Sequence, residues 1–141
     1  MNPFILSVAG IGLLAGNVLA QTDAPYKVLD TTQLMGNGGI DYVYADNDGR
    51  RIYVPRGGNT FVFDLDSHKY IGAITNIGGY GVAIDTKTHH GFSSAGKIGM
   101  FDTETMQKIK DIDVQGRPDG ILLEPLTDRV YVFTIRRPAS R

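Results

Sequence analysis

The chain has 141 residues, enough for one domain, and 14 Lys and Arg against 15 Asp and Glu give a formal net charge of −1. This balance lacks the basic footprint of a nucleic-acid or membrane-surface binder, so we expect no nucleic-acid partner. The absence of cysteine excludes disulfide scaffolds, Cys-ligated zinc, iron–sulfur clusters and thiol nucleophiles.

The first twenty residues are typical of an export signal. Residues 4–15 form an uncharged apolar run, and Val18 and Ala20 suit a signal-peptidase site. The run is shorter than the roughly 20 apolar residues that a membrane helix needs. An uncleaved anchor or a buried N-terminal helix is the alternative. We therefore expect residues 1–20 to be a signal peptide, with export to the periplasm or outside the cell after cleavage near Ala20, and no membrane contact beyond that segment.

The rest of the chain repeats itself. Three aromatic residues recur at intervals of 39 positions: Tyr53, Phe92 and Tyr131. Three acidic residues recur at the same interval: Asp46, Asp85 and Glu124. A Phe-Asp pair recurs between these anchors at an offset of 38, at Phe63-Asp64 and Phe101-Asp102. Agreement between independent anchors indicates a true structural repeat.

Short alternating runs rich in β-branched and aromatic residues predict the strands. They are expected near 41–45, 51–55, 60–64, 70–75, 81–85, 90–94, 98–102, 108–114, 119–123 and 129–133. A lone outer strand is expected at 27–34. Four short strands in every unit of about 39 residues is the pattern of a β-propeller blade. The predicted fold is therefore all-β, a partial β-propeller of four-stranded antiparallel blades in an incomplete ring.

The repeat also sets the expected boundaries. The propeller region spans 26–133 and is followed by an unstructured tail at 134–141. Within it we expect two full blades and one half blade, at 38–77, 78–115 and 116–133.

Four short motifs recur within these units: Arg51-Ile52-Tyr53-Val54, Phe63-Asp64-Leu65-Asp66-Ser67, Phe101-Asp102-Thr103-Glu104-Thr105 and Gly116-Arg117-Pro118-Asp119-Gly120. They resemble the YVTN-type β-propeller repeat of exported, YncE-like proteins. The resemblance covers about residues 26–133 and implies blade architecture rather than a particular activity. A closed ring needs roughly four to eight blades. We interpret the chain as a truncated or interrupted member with about two and a half blades.

Metal binding has little support in the sequence. The segment Asp46-Asn47-Asp48-Gly49 resembles the start of a calcium loop, but the twelfth position from Asp46 is Gly57 and not an acid. A hairpin turn with Gly49 at positive φ is the favoured interpretation. His89 and His90 are adjacent, so they point to opposite faces of a strand and cannot easily share one metal ion. We predict no metal and no cofactor.

Catalysis has equally little support. The paired acids Asp64/Asp66 and Asp102/Glu104 are repeat-equivalent and lie where a strand enters a turn. We interpret them as turn-capping acids and not as an acid–base pair. No catalytic residue is predicted.

The best candidates for ligand binding lie at the junctions between blades. Asp41, Tyr80, Arg117 and Asp119 stand near the starts of the inner strands, and Arg56 follows the second strand. An arginine beside Asp and Tyr can hold an anionic or polar ligand. The alternative is structural, with Arg117 to Asp119 forming a junction turn and Arg56 solvated in a loop.

These observations predict an exported, non-catalytic binding or scaffolding module that recognises a small ligand or a protein partner at the blade-junction rim. Uncapped blades also predict either a fragment that is marginally stable alone or a subunit of a homo-oligomer, because repeat arrays need capping units. The alternative function is a fragment of a propeller enzyme or redox-accessory protein whose channel binds a cofactor or metal.

Overall fold

The computed structural model describes residues 26–34 and 36–135. The predicted signal peptide and residues 136–141 of the predicted tail lie outside the described residues. Contacts divide the chain into two units, Met1–Thr31 and Thr32–Arg141. Residues 26–31 of the first unit have no regular secondary structure.

The described part of the second unit consists of strands joined by turns. The strands are β1 (Tyr44–Asp46), β2 (Arg51–Arg56), β3 (Asn59–Asp64), β4 (Tyr70–Ile74), β5 (Val82–Asp85), β6 (His90–Ser94), β7 (Ile98–Asp102), β8 (Lys108–Ile112), β9 (Arg117–Glu124) and β10 (Arg129–Ile135). Among residues 26–34 and 36–135 no helix is long and apolar enough to cross a membrane.

The strands form three antiparallel sheets in chain order. The first sheet is β1-β2-β3-β4, the second is β5-β6-β7-β8, and the third is β9-β10. Within each sheet every strand pairs with its neighbour in sequence, because the turns inside a sheet are short enough for hairpins. The predicted all-β fold with four-stranded antiparallel blades is thus confirmed, and the described part of the chain closes no ring.

Several strand bounds differ from the prediction, and three of these differences have an identifiable cause. The outer strand expected at 27–34 is not formed by the residues described there. In that segment the Thr31 amide bonds to the Asp30 side chain at 2.7 Å, a local bond that competes with strand pairing. The first strand begins at Tyr44 and not at 41, because the Tyr42 amide donates to the Tyr80 carbonyl at 3.0 Å and not to β2.

The third difference lies at the end of β10, which runs two residues past the expected boundary at 133. Thr134 pairs with Pro118 and Ile135 pairs with Arg117 after an irregularity at Phe133. Both added residues are β-branched and suit an extended backbone. They therefore belong to a strand and not to the predicted tail.

The turn after the first strand of each sheet has the same backbone geometry. One non-glycine residue has a positive φ in each of these turns: Arg50, His89 and Asp128. The prediction that Gly49 takes this conformation is therefore wrong. Gly49 is needed for space instead, because its amide donates to Asp46 Oδ1 at 3.0 Å and a Cβ there would overlap the Asp46 carboxylate.

The core lies between the first two sheets. Its buried side chains come from both sheets and from the segment that connects them: Tyr53, Val62, Ile74, Ile77, Val82, Ile84 and Phe101. The rings of Tyr53 and Phe101 pack tilted, with centroids 6.0 Å apart. Gly91 allows this contact, since a Cβ there would overlap the Phe101 ring. The two sheets therefore stack face to face, as neighbouring propeller blades do.

The third sheet is held to the second at its edges. Ser94 Oγ donates to the Asp119 carbonyl, and Lys87 pairs with Asp128 at 2.7 Å. The far face of this sheet is open, with Tyr131 44% and Phe133 57% exposed.

Candidate functional site

Two of the predicted site residues meet in a cleft where the first and second sheets join. The cleft has a volume of about 250 Å³ and is lined by Gly39, Asp41, Gly57, Gly79, Tyr80, Ala95 and Gly96. These residues come from the loop before β1, the β2–β3 turn, the approach to β5 and the β6–β7 turn. We call this the junction cleft. Its glycine-rich wall exposes backbone groups to any ligand that enters.

Close backbone contacts shape the junction cleft. The Tyr80 amide donates to the Ser94 carbonyl at 2.6 Å, and the Gly81 amide donates to Ser94 Oγ at 3.0 Å. Gly79 has a φ of 146°, and a Cβ at this position would overlap the Ser94 carbonyl. Only glycine fits at Gly79, so Tyr80 is fixed at the cleft by the backbone on both sides of it.

Arg117 lies over the ring of Tyr80. Its guanidinium carbon is 5.1 Å from the ring centroid, a cation–π distance. Within the described part of the chain, Arg117 makes no salt bridge with a carboxylate. The guanidinium is therefore oriented by Tyr80 and keeps its donors for another group.

The remaining two predicted site residues have other contacts. Arg56 donates from Nε to the Gly38 carbonyl at 3.0 Å and from Nη1 to the Leu34 carbonyl at 2.8 Å. It holds the loop that lines the junction cleft. Asp119 is half-buried in β9, and its carbonyl accepts the Ser94 hydroxyl. The structure thus places Asp41 and Tyr80 in one cleft and Arg117 over the Tyr80 ring, and it gives Arg56 and Asp119 scaffold contacts.

A second cleft lies at the opposite ends of the same strands. It has a volume of about 370 Å³ and is lined by Asp46, Asp48, Gly49, Arg51, Tyr53, Thr86, His89, Thr103 and Glu104. We call this the turn cleft. In the sequence Tyr53 stands out only as a repeat anchor, and the turn cleft is not predicted. The available signal is the hydroxyl, because Phe92 fills the equivalent position without one.

The Tyr53 hydroxyl is unusual for a buried group. Tyr53 is 0% exposed, and its Oη has no hydrogen-bond partner in the described part of the chain. Burial raises the pKa of this phenol, and the nearby Arg51 guanidinium partly offsets the rise. Arg51 Nη1 donates to the Thr103 carbonyl. No contact between Arg51 and Tyr53 Oη has hydrogen-bond geometry.

One acid of each predicted pair caps a turn, whereas Asp66 pairs with Arg50 and Glu104 lies near His89. Asp64 Oδ1 accepts the amide and the hydroxyl of Ser67, each at 2.7 Å. Asp102 Oδ1 accepts the same two groups of Thr105, at 2.7 and 2.9 Å. These bonds hold the pKa of each carboxyl below its usual range. Such acids stay ionised near neutral pH, as turn caps should.

A third, mainly apolar cleft lies along the first strands of the three sheets, β1, β5 and β9. It has a volume of about 320 Å³ and is lined by Tyr42, Val43, Tyr44, Gly81, Val82, Gly120, Ile121, Leu122 and Phe133. Among residues 26–34 and 36–135 no group of three His, Asp or Glu is arranged to hold a metal ion.

Comparisons with known proteins identify the fold. No family model and no curated protein matches the chain. Among solved structures, hydrazine synthase from Kuenenia stuttgartiensis is 18% identical over 77% of this chain, with a TM-score of 0.63. The β-propeller domain of Swd1 (Cps50) from Myceliophteria thermophila is 13% identical over 68%, with a TM-score of 0.52. Dihydro-heme d1 dehydrogenase NirN, in complex with DHE, is 19% identical over 67%, with a TM-score of 0.52.

The chain spans 33%, 32% and 22% of the lengths of those three chains. At these identities the likeness shows the fold alone. Together with the stacked four-stranded sheets, it defines the class as a β-propeller type of protein. Membership of the YVTN-type family stays a prediction from the sequence motifs.

Proposed function

We propose that the protein is a non-catalytic binding module whose junction cleft takes a small ligand that carries a carboxylate and a hydrogen-bond donor. The observation behind this proposal is the arrangement of two groups around Tyr80. The Arg117 guanidinium lies over its ring, and Asp41 shares its cleft. A guanidinium can bind a carboxylate through two parallel hydrogen bonds, and a carboxylate accepts a hydroxyl or amine donor.

The sequence supports a setting for this function. We propose that the chain is an exported, YncE-like protein of the YVTN type. The apolar run at 4–15 and the repeated motifs at Tyr53 and Phe101 support this assignment.

The test uses malate as the probe, because it carries both carboxylates and a hydroxyl. We expect saturable shifts of the Gly79, Tyr80 and Gly96 amides by NMR, with weaker binding of succinate, which lacks the hydroxyl, and no binding of glycerol. Arg117→Gln should weaken malate binding about tenfold, the loss of one charge-assisted bond. Arg129→Gln is the matched control, since Arg129 is exposed in β10 and, unlike Arg117, makes no cation–π contact with Tyr80. An equal response of both variants would reject the proposal.

The alternative function is that of a propeller enzyme or redox-accessory protein. The third, mainly apolar cleft, with Tyr42, Tyr44 and Phe133 in its lining, favours it because a flat macrocycle packs on such side chains. The solved structures that share the fold include a synthase and a dehydrogenase bound to DHE. Haemin titration followed by absorbance tests this alternative. A saturable shift that Phe133→Ala weakens would support it, and an unchanged spectrum would reject it.

The open face of the third sheet supports a second copy as a partner. Tyr131 is the repeat equivalent of Tyr53, yet it is 44% exposed whereas Tyr53 is 0% exposed. The first sheet presents this aromatic position to the second sheet, where Tyr53 packs on Phe101. We propose that copies associate through this face, which also exposes Leu122 and Phe133.

A further inference from the structure

The turn cleft has features of a binding site that the proposed function does not use. It lies at the ends of β1 and β2 that are remote from the junction cleft, between the turn at 46–51 and two turns of the second sheet. Its walls therefore come from two sheets whose relative position is fixed by the core between them. The backbone frame of a cleft built in this way is preformed, so that only side chains need to move to accept a ligand.

An unsatisfied hydroxyl points into the turn cleft. The Tyr53 ring is packed in the core against Phe101, so its hydroxyl is the end that reaches the cleft lining. That oxygen is buried and has no hydrogen-bond partner among the residues that the structure describes. Buried polar groups without a partner are rare in native proteins and need an explanation. A ligand in the turn cleft would supply the missing hydrogen bond.

The charges around this hydroxyl select the kind of ligand. Three carboxylates line the cleft, those of Asp46, Asp48 and Glu104. Arg51 is the cation among the lining residues, and its Nη1 already donates to the Thr103 carbonyl. His89 Nδ1 is 3.7 Å from Glu104 Oε1 and adds a positive charge only when it is protonated. The lining is therefore net negative at neutral pH and favours a cation.

Asp46 is the carboxylate best placed to act on such a cation. It is only 5% exposed, and it accepts one hydrogen bond, from the Gly49 amide at 3.0 Å. A carboxylate has about four acceptor sites, so most of its capacity is free. Low exposure also reduces the screening of its charge by water.

We propose that the turn cleft binds a primary alkylammonium group, whose N–H donors are accepted by the Tyr53 hydroxyl and the Asp46 carboxylate. An alkylammonium group is a compact cation with three N–H donors. These donors can be accepted by the Tyr53 hydroxyl oxygen and by the carboxylates near it. The group can come from a small free amine or from a lysine side chain.

The test is an NMR titration of the whole protein with butylammonium chloride, and with 1-butanol as the uncharged control. We expect saturable shifts of the Gly49, Thr86 and Thr103 amides with butylammonium and none with butanol. Nα-acetyl-lysine amide distinguishes the two sources. Tighter binding of this probe identifies a lysine side chain, and tighter binding of butylammonium identifies a free amine.

Variants make the test specific to the proposed contacts. Tyr53→Phe keeps the ring and should weaken butylammonium binding about fivefold, which is the loss of one hydrogen bond. Tyr131→Phe is its matched control, because it removes the repeat-equivalent hydroxyl outside the cleft. Asp48→Asn changes an exposed residue, leaves the fold intact and should also weaken binding. Absence of saturable binding, equal binding of butanol, or full binding by both Tyr53→Phe and Asp48→Asn would overturn the proposal.

Discussion

Single side chains decide the geometry of the turns. The repeat-equivalent acids Asp46, Asp85 and Glu124 each accept a hydrogen bond from the residue three positions later. Asp64 accepts such a bond at the turn between β3 and β4, and Asp102 does so at the turn between β7 and β8. An acid that caps a turn in this way satisfies an amide that would otherwise have no partner. The repeated spacing of these acids along the chain thus reflects a local hydrogen bond that recurs in each unit.

These bonds make stability depend on pH. The Ser67 hydroxyl is the main cause that lowers the pKa of Asp64. A folded-state pKa below the unfolded value contributes stability above the unfolded pKa, and this is lost as the pH falls through the folded pKa. The free energy of unfolding should therefore decrease below about pH 4. Ser67→Ala should raise the pKa of Asp64 toward its ordinary value in a carboxyl NMR titration, and Ser67→Thr should not. An unchanged pKa in Ser67→Ala would contradict this cause.

Gly91 tests the packing at single-residue resolution. A Cβ at this position would overlap the Phe101 ring. Gly91→Ala should therefore lower the free energy of unfolding by about 1–3 kcal/mol in urea denaturation, the usual cost of overpacking a core. Gly96→Ala is the control, because no atom lies within 4 Å of its Cβ position. Similar losses in the two variants would show that the Phe101 ring does not lie across Gly91.

At the scale of the strands, alternation and β-branched residues predict position well. The strand β6 (His90–Ser94) and the strand β7 (Ile98–Asp102) have the bounds expected from sequence. The predictions are wrong where hydrogen-bond partners outside a strand decide where the strand begins or what a side chain contacts. The Tyr42 amide bonds to Tyr80, which shortens β1, and Arg56 bonds to the carbonyls of a loop. A local pattern contains no information about such partners, so neither the loop contact of Arg56 nor the turn cleft follows from it.

A buried hydrogen bond helps to hold the connection between the first and second sheets. Thr60 is 0% exposed, and its Oγ1 donates to the Ile77 carbonyl at 2.7 Å. Thr60→Val keeps the shape but leaves that carbonyl without the bond, so the free energy of unfolding should fall by about 1–3 kcal/mol. Thr75→Val, at an exposed turn position, should change it by less than about 0.5 kcal/mol. Thermal or urea denaturation of both variants measures the difference. Equal stability of the two would contradict this role of Thr60.

At the scale of the molecule, stacking defines which faces are buried. The proposed association of copies predicts a concentration-dependent increase in mass in sedimentation, because Phe133 is 57% exposed on the open face. Phe133→Lys should shift the protein toward the monomer. Lys110→Glu, a charge change on the exposed strand β8, is the control and should not. A monomer at every concentration would reject the association without affecting the junction cleft.

The central claim is that sheets of one repeat stack face to face and form clefts at their junctions. A double-mutant cycle of Tyr53→Leu and Phe101→Leu tests this claim most directly, since the two rings belong to different sheets with centroids 6.0 Å apart. We expect a coupling energy of about 0.5–1.5 kcal/mol from urea denaturation of the four proteins. Strictly additive losses, with no coupling between the two positions, would contradict the stacked arrangement on which both clefts depend.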